Sequence, residues 1–267
     1  MTRGYENYES SFHSLFFIFE NLYKMQINLH QLRKSFGDKT AVDITDFTIN
    51  NGEIIGLVGN NGAGKTTLFR LILDLLKADT GTVSMMPQDG KSTIDPTVSE
   101  DWKQFTGAYI NEGFLIDFLT PEEYFNFLAR INNLPPFDWK HINDSILSPF
   151  IPFTNGEIFK QKKLIRDFSA GNKQKIGIIS ALFTSPELVI LDEPFNFLDP
   201  TGQNKLKHII SRYAESSGAT ILISSHNLQH TTDISTRIAL LEHGRIIEDL
   251  PNINGSANQA LKEYFEV

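Results

Sequence analysis

Glu53-Ile54-Ile55-Gly56-Leu57-Val58-Gly59-Asn60-Asn61-Gly62-Ala63-Gly64-Lys65-Thr66-Thr67 is the stretch that decides the fold. After the Asn50-Asn51-Gly52 turn, residues 53–58 form a mostly apolar run, the composition of a buried central strand. Glycines at 59, 62 and 64 let the backbone curl so that successive N–H groups point inward at phosphate oxygens. Lys65 supplies a point charge to the β- and γ-phosphates, and Thr66 offers a hydroxyl to Mg²⁺. A helix beginning at this point adds its N-terminal dipole, with Leu68, Leu71, Ile72 and Leu75 on its apolar face and Thr80-Gly81 as its expected end. The segment is thus expected to hold nucleotide phosphates along Gly59, Asn60, Asn61, Gly62, Ala63, Gly64, Lys65, Thr66 and Thr67.

Downstream, Leu188-Val189-Ile190-Leu191-Asp192-Glu193 is an apolar strand ending in two acids. Two carboxylates there are costly unless a cation or a proton-transfer role occupies them. Asp192 suits Mg²⁺ through its water shell. Glu193, facing a different direction, suits a base that polarises an attacking water. A GTPase reader of the Asn-Lys-x-Asp type is missing, since Asn172-Lys173 is followed by Gln174-Lys175 and Asn204-Lys205 by Leu206-Lys207. A small-molecule kinase needs no hydrolytic carboxylate. The expected class is therefore an ATP-binding, ATP-hydrolysing P-loop protein with Mg²⁺.

The rest of the chain reads as α/β. Ile27 and Leu29, then Val42 and Ile44 after the Gly37-Asp38 turn, alternate with polar neighbours, which points to strands. Residues 113–175 read as mainly helical, with Thr120 opening a capping box with Glu123 and Pro121 at the first helical position. Pro135-Pro136, Pro149 and Pro152 divide that region. Residues 219–223 read as a further buried strand, and His243-Gly244 as the turn of a terminal hairpin. Residues 1–24 read separately, with Phe12, Leu15, Phe16, Phe19 and Leu22 at helical spacing. They are either a start assigned too early, with Met25 the true start, or an accessory helix. Residues 25–250 form the main domain and 251–267 a C-terminal tail.

Composition excludes several classes. A net charge of −8 argues against an extended nucleic-acid footprint. With no cysteine there is no disulfide, thiolate metal site or cysteine nucleophile. No apolar run reaches the roughly eighteen residues of a spanning helix, so a membrane role is expected to come through a partner.

With these pieces placed, the sequence resembles the nucleotide-binding subunit of ABC transporters from about Met25 to Asp249. Phe168-Ser169-Ala170-Gly171-Asn172 stands where that family has its signature loop, at the start of a helix carrying Ile176, Ile179 and Leu182. The resemblance implies a P-loop NTPase (RecA-like) core with an antiparallel β subdomain and a helical, signature-bearing subdomain. It further implies that Ser169 and Gly171 bind ATP held by a second subunit. Phe36 matches the aromatic that stacks on adenine. Glu112 falls where a glutamine links Mg²⁺ and attacking water to the transporter partner. Asn196-Phe197-Leu198-Asp199 matches the loop communicating across the dimer, and His226 the histidine contacting the γ-phosphate. His13, His30, His141, His208 and His230 carry no motif.

Departures are equally specific. Ala170 replaces a usual glycine and Asn172 a usual glutamine; Glu112 adds charge beside Mg²⁺; Phe195 and Phe197 are bulky where small residues are common. Glu193 and His226 are both present, which argues against a degenerate, non-hydrolysing subunit; with Lys65 they are the expected catalytic residues. By resemblance the partners are a second nucleotide-binding subunit, expected as a homodimer, and a separately encoded transmembrane permease. Phe114, Leu115, Phe118 and Leu119 are candidates for the permease seat, or core. The implied location is cytoplasmic, on the inner face of the membrane through the permease. The stretch Asp117 to Glu123 looks like the ATPases of bacterial exporters. Two readings stay open beside it: a soluble ABC ATPase outside transport, such as an iron–sulfur assembly type, and a nucleotide-sensing module.

Overall fold

The computed structural model of the protein describes residues 25–87, 92–110, 114–136, 147–253 and 255–265. Segment 1–24 lies outside the described residues. In chain order the elements are β1 (Met25–Phe36), β2 (Lys39–Ile49), β3 (Ile54–Val58), α1 (Lys65–Ile72), β4 (Thr80–Pro87), β5 (Thr106–Tyr109) and α2 (Pro121–Ile131). Then come α3 (Ile151–Thr154), α4 (Ala170–Leu182), β6 (Leu188–Leu191), α5 (Pro200–Ser217) and β7 (Thr220–Ser225). The chain closes with α6 (Leu228–Thr232), β8 (Arg237–Glu242), β9 (Arg245–Pro251) and α7 (Ala257–Phe265).

Apolar runs without alternation make sense once both faces of a sheet are covered. On β6, Leu188 and Ile190 join one apolar cluster while Val189 and Leu191 join another. The two faces of one short strand are thus buried against different layers, which is why its sequence shows no period of two. The sheet to which it belongs runs β5-β6-β7-β3-β8-β9. All neighbours are parallel except β9, which returns against β8. His243 (φ 48°) and Gly244 (φ 80°) are both left-handed, as a two-residue hairpin turn between right-twisted strands requires.

A second, antiparallel sheet has the order β2-β1-β4. Ile27, Leu29, Val42 and Ile44 from it pack with Leu68, Leu71 and Ile72 of α1 onto Leu57, Ile190 and Leu222 of the central sheet. The opposite face of the central sheet is covered by Phe125 of α2, Ile176 and Ile179 of α4, and Leu206 and Ile210 of α5. This is the α/β P-loop arrangement expected, with the antiparallel sheet and α1 on one side and α2, α4 and α5 on the other.

Local chemistry explains several boundaries. Helix α2 starts at the expected capping box, with Thr120 Oγ1 accepting from Glu123 N at 3.3 Å and Glu123 Oε2 accepting from Thr120 N at 2.8 Å. Helix α1 is shorter than its apolar pattern suggested. It ends at Ile72 because Asp74 turns left-handed (φ 48°), and the N–H groups of Leu75 and Leu76 both fold back to Arg70 O, leaving Leu75 exposed. The C-terminal tail carries α7. Ala257 and Leu261 seat it on Val58, Ile238 and Leu240.

Helix α4 approaches β5 closely, and Gly107 permits it. A Cβ at that position would lie 1.8 Å from the Ala181 carbonyl oxygen and 2.8 Å from Pro186 Cγ. Replacing Gly107 with Ala must therefore push the helix away. The expected loss is about 1–3 kcal/mol, read as a lower urea midpoint with an unchanged slope. A parental midpoint would contradict this packing.

Candidate functional site

The loop between β3 and α1 is shaped by what its glycines touch. Gly59 (φ 155°) lies against the carbonyl of Leu241, where a Cβ would sit 2.3 Å from the oxygen. Gly64 (φ 115°) lies against Ala41, with a corresponding distance of 2.2 Å. Gly244 N donates to Ala63 O at 2.9 Å, so the β8–β9 turn holds the loop from below. Side chains at 59 or 64 would collide with backbone, and the loop curls as it does because none are there. Beyond it, the first N–H groups of α1 have no carbonyl one turn earlier in the helix and face outward to any acceptor.

Lys65 is buried under this loop, its Nζ donating to Gly59 O at 2.6 Å and Asn60 O at 3.3 Å. It also lies 3.5 Å from Glu193 Oε1. Thr66 Oγ1 donates to Asp192 Oδ2 at 2.5 Å, which joins the start of α1 to the end of β6. Asp192 is only 7 % exposed. Burial pushes its carboxyl above the ordinary carboxylate value, and hydrogen bonds from Ser224 and Thr66 pull the other way. Ser224, at the end of β7, donates to Asp192 Oδ1 and accepts from Glu193 N at 2.8 Å.

Glu193 itself is left-handed (φ 48°), an uncommon conformation for a residue with a side chain. Its carboxylate meets His226, whose Nδ1 is 2.8 Å from Oε2 and whose backbone N–H donates to the same oxygen at 3.3 Å. The ends of β3, β6 and β7 therefore bring Lys65, Asp192, Glu193 and His226 together, at the carboxyl edge where open parallel sheets bind ligands.

Lys65 and Glu193 border a cleft of about 300 Å³, lined also by Phe36, Lys39, Ala41, Asn61, Gly62, Gly64, Thr66 and Thr67. Phe36 stands at its rim, 53 % exposed, with Lys34 Nζ 5.7 Å from its ring centroid. Ser169 and Gly171 do not line the cleft of their own chain. Ser169 caps α4 by accepting from Asn172 N at 3.3 Å, and Asn172 turns its amide to Glu157 Oε2 at 3.0 Å. Gly171 leaves room for the carbonyl of Phe197, where a Cβ would be 2.6 Å away, and the Phe197 ring is exposed. Asp199 caps α5 through Gly202 N at 2.9 Å. Phe195 turns inward against the ring of His230, with centroids 4.8 Å apart. Glu112 lies outside the described residues.

Of the apolar residues singled out near it, Leu115 is buried in the core and Leu119 packs partly against it, whereas Phe114 and Phe118 are exposed. Ser224, Lys39 and Ala41 were not singled out from the sequence. Ser224 carries a readable signal all the same: a polar residue ending an apolar strand two positions before His226.

Oxygen donors Thr66 and Asp192 suit Mg²⁺, which keeps several waters and takes one or two protein ligands. Among the described residues no group of three or more His, Asp or Glu forms a denser metal site. The glycine cradle with its buried lysine suits a triphosphate. Fold and cleft together define a P-loop nucleoside triphosphatase.

Comparison with known proteins narrows the class. The ABC transporter family matches residues 42–196. The bacitracin transport ATP-binding protein BcrA of Bacillus licheniformis is 32 % identical over 84 % of this chain and 69 % of its own. The lantibiotic transport ATP-binding protein SrtF of Streptococcus pyogenes is 31 % identical over 90 % of this chain and 95 % of its own. A solved dimeric bacterial ABC transporter cassette superposes with a TM-score of 0.72 over 85 % of this chain and 99 % of that one, at 20 % identity, a likeness of fold. The chain belongs to the ABC transporter family as an ATP-binding, ATP-hydrolysing cassette.

Ser224→Ala would leave a buried carboxylate short of a donor and the Glu193 N–H without its acceptor. The expected cost is about 1–3 kcal/mol of stability, measured by chemical denaturation. A smaller loss than that of an exposed serine control would contradict its place between the two acids.

Proposed function

We propose that the protein is the ATPase of an ABC exporter, working as a dimer that sandwiches two ATP molecules and drives a separate membrane permease. The observation that carries this reading is the one-sidedness of the cleft. It is lined from residues 36–67 and by Glu193, to which His226 is hydrogen-bonded, while Ser169 does not line it. A second copy related by a two-fold axis is the isologous partner whose Ser169 and Gly171 close the pocket.

Within that pocket the adenine stacks on Phe36, and the phosphates lie along Gly59 to Thr67. Thr66 and Asp192 would hold Mg²⁺, which would supply positive charge to the phosphate oxygens. Glu193 accepts a proton from a water that attacks the γ-phosphorus in line. As the new P–O bond forms, the bond to the β–γ bridging oxygen breaks. Lys65 and His226 stabilise the charge that develops on the phosphoryl oxygens. The hydrogen bond between His226 and Glu193 aims the carboxylate.

No helix among the described residues is long and apolar enough to cross a membrane, so spanning is assigned to the permease. Phe114 and Phe118, exposed next to the helical layer, are the surface assigned to it, on the cytoplasmic side. Relatives named for bacitracin and lantibiotic transport support transport over an assembly role.

Glu193→Gln tests the chemistry. Turnover is expected to fall by about 10²-fold or more, with ATP binding retained and an ATP-dependent dimer accumulating in sedimentation. Parental turnover would remove Glu193 from the mechanism. Co-purification of the tagged chain with a polytopic protein from membranes is expected, and recovery solely from the soluble fraction would count against the transport reading.

A further inference from the structure

The carbonyl of Glu193 is anchored as deliberately as its carboxylate. It accepts from Gln174 Nε2 at 3.1 Å, as well as from Asn196 N at 3.2 Å within its own loop. Gln174 belongs to α4, the helix that Ser169 caps, and it is only 5 % exposed. Its amide is oriented by a second buried group: Tyr109 OH donates to Gln174 Oε1 at 3.1 Å. With the acceptor oxygen occupied by a hydroxyl donor, the amide N–H₂ is left facing Glu193.

Tyr109 is placed for this by the fold. It ends β5 beside Leu191, and its own carbonyl accepts from Asp192 N at 2.9 Å. Its ring lies flush on α4 because residue 177 is glycine; a Cβ there would be 2.1 Å from the ring. One tyrosine therefore grips both acids, Asp192 through its carbonyl and Glu193 through Gln174. The left-handed Glu193 backbone, which a side-chain-bearing residue adopts only where its surroundings enforce it, is held at its N–H by Ser224 and at its carbonyl by Gln174.

We infer that Gln174, oriented by Tyr109, is a positioning residue that aims the Glu193 carboxylate and ties it to the helix whose capped end binds the partner's nucleotide. Ser169 and Gln174 are five residues apart on one helix, about 7.5 Å along its axis, so a displacement at the capped end is carried to the Glu193 carbonyl. The inference rests on Glu193 being the base that activates water. Loss of the amide donor leaves the nucleotide contacts intact and misdirects the base, which is a defect in the chemical step alone.

The test uses Gln174→Met, which keeps length and volume without a donor, and Tyr109→Phe, which removes only the hydroxyl. Each is measured as the full chain by steady-state ATPase assay and thermal melting, alone and combined with Glu193→Gln. In the parental background kcat is expected to fall about tenfold with KM changed less than about twofold. In the Glu193→Gln background neither substitution is expected to lower the residual rate further, because the group they aim is already gone. A parental kcat in both variants overturns the inference. So does an equal proportional loss with and without Glu193, or a loss shared between kcat and KM, since each is what general destabilisation gives. Should Gln174→Met fail to fold, Tyr109→Phe decides by the same criteria. If Glu193→Gln alone turns over at the parental rate, the reading of Glu193 as base has failed instead, and that single variant identifies which.

Discussion

A carboxylate buried at the end of an apolar strand is the constraint on which the site depends. Asp192 costs free energy in that position unless donors reach it, and they arrive from two other elements: Thr66 at the head of α1 and Ser224 at the end of β7. Satisfying one acid thus fixes the mutual register of three segments distant in sequence. The same Ser224 oxygen that donates to Asp192 accepts from Glu193 N, so the register extends to the second acid and through it to Lys65 and His226. The electrostatic demand and the apolar packing point the same way, since β6 and β7 are adjacent strands with their alternate side chains buried on opposite faces.

The loop that faces these acids is fixed by steric means. Backbone carbonyls of Ala41 and Leu241 stand where Cβ atoms of Gly64 and Gly59 would be, and the N–H of Gly244 pins Ala63. The antiparallel sheet and the terminal hairpin are thereby part of the phosphate cradle, although neither carries a residue of the phosphate motif. Phe36 follows from the same arrangement: it ends β1 at the rim of the cleft opened by that contact.

Much of this was legible in the residues. The phosphate loop, the acids after β6, the capping box at Thr120 and the turn at His243-Gly244 are local signals, each set by neighbours within a few positions. Ser224, Gln174 and Tyr109 were not, because their partners lie 31, 19 and 65 residues away and meet them only through strand order and helix packing. The end of α1 was overrun because Leu75 continues the apolar pattern, whereas the backbone left-turns at Asp74. Helix α7 escaped because Ala257 and Leu261, its buried apolar residues among those described, are too few to set a period. Phe114, Leu115, Phe118 and Leu119 read as one apolar group, yet the fold divides them into two exposed rings and two packed side chains.

The proposed pocket, completed by the end of another copy's helix, has a direct signature in mixed dimers. Lys65→Ala breaks the phosphate side of the site and Ser169→Glu the closing side, so each chain alone is expected to be inactive. Mixed together, they form dimers in which one of the two pockets pairs an intact loop with an intact Ser169. The measurement is ATP turnover of the two inactive chains before and after mixing. Recovery of activity on mixing is the predicted result; a mixture no more active than either chain alone would contradict the shared site.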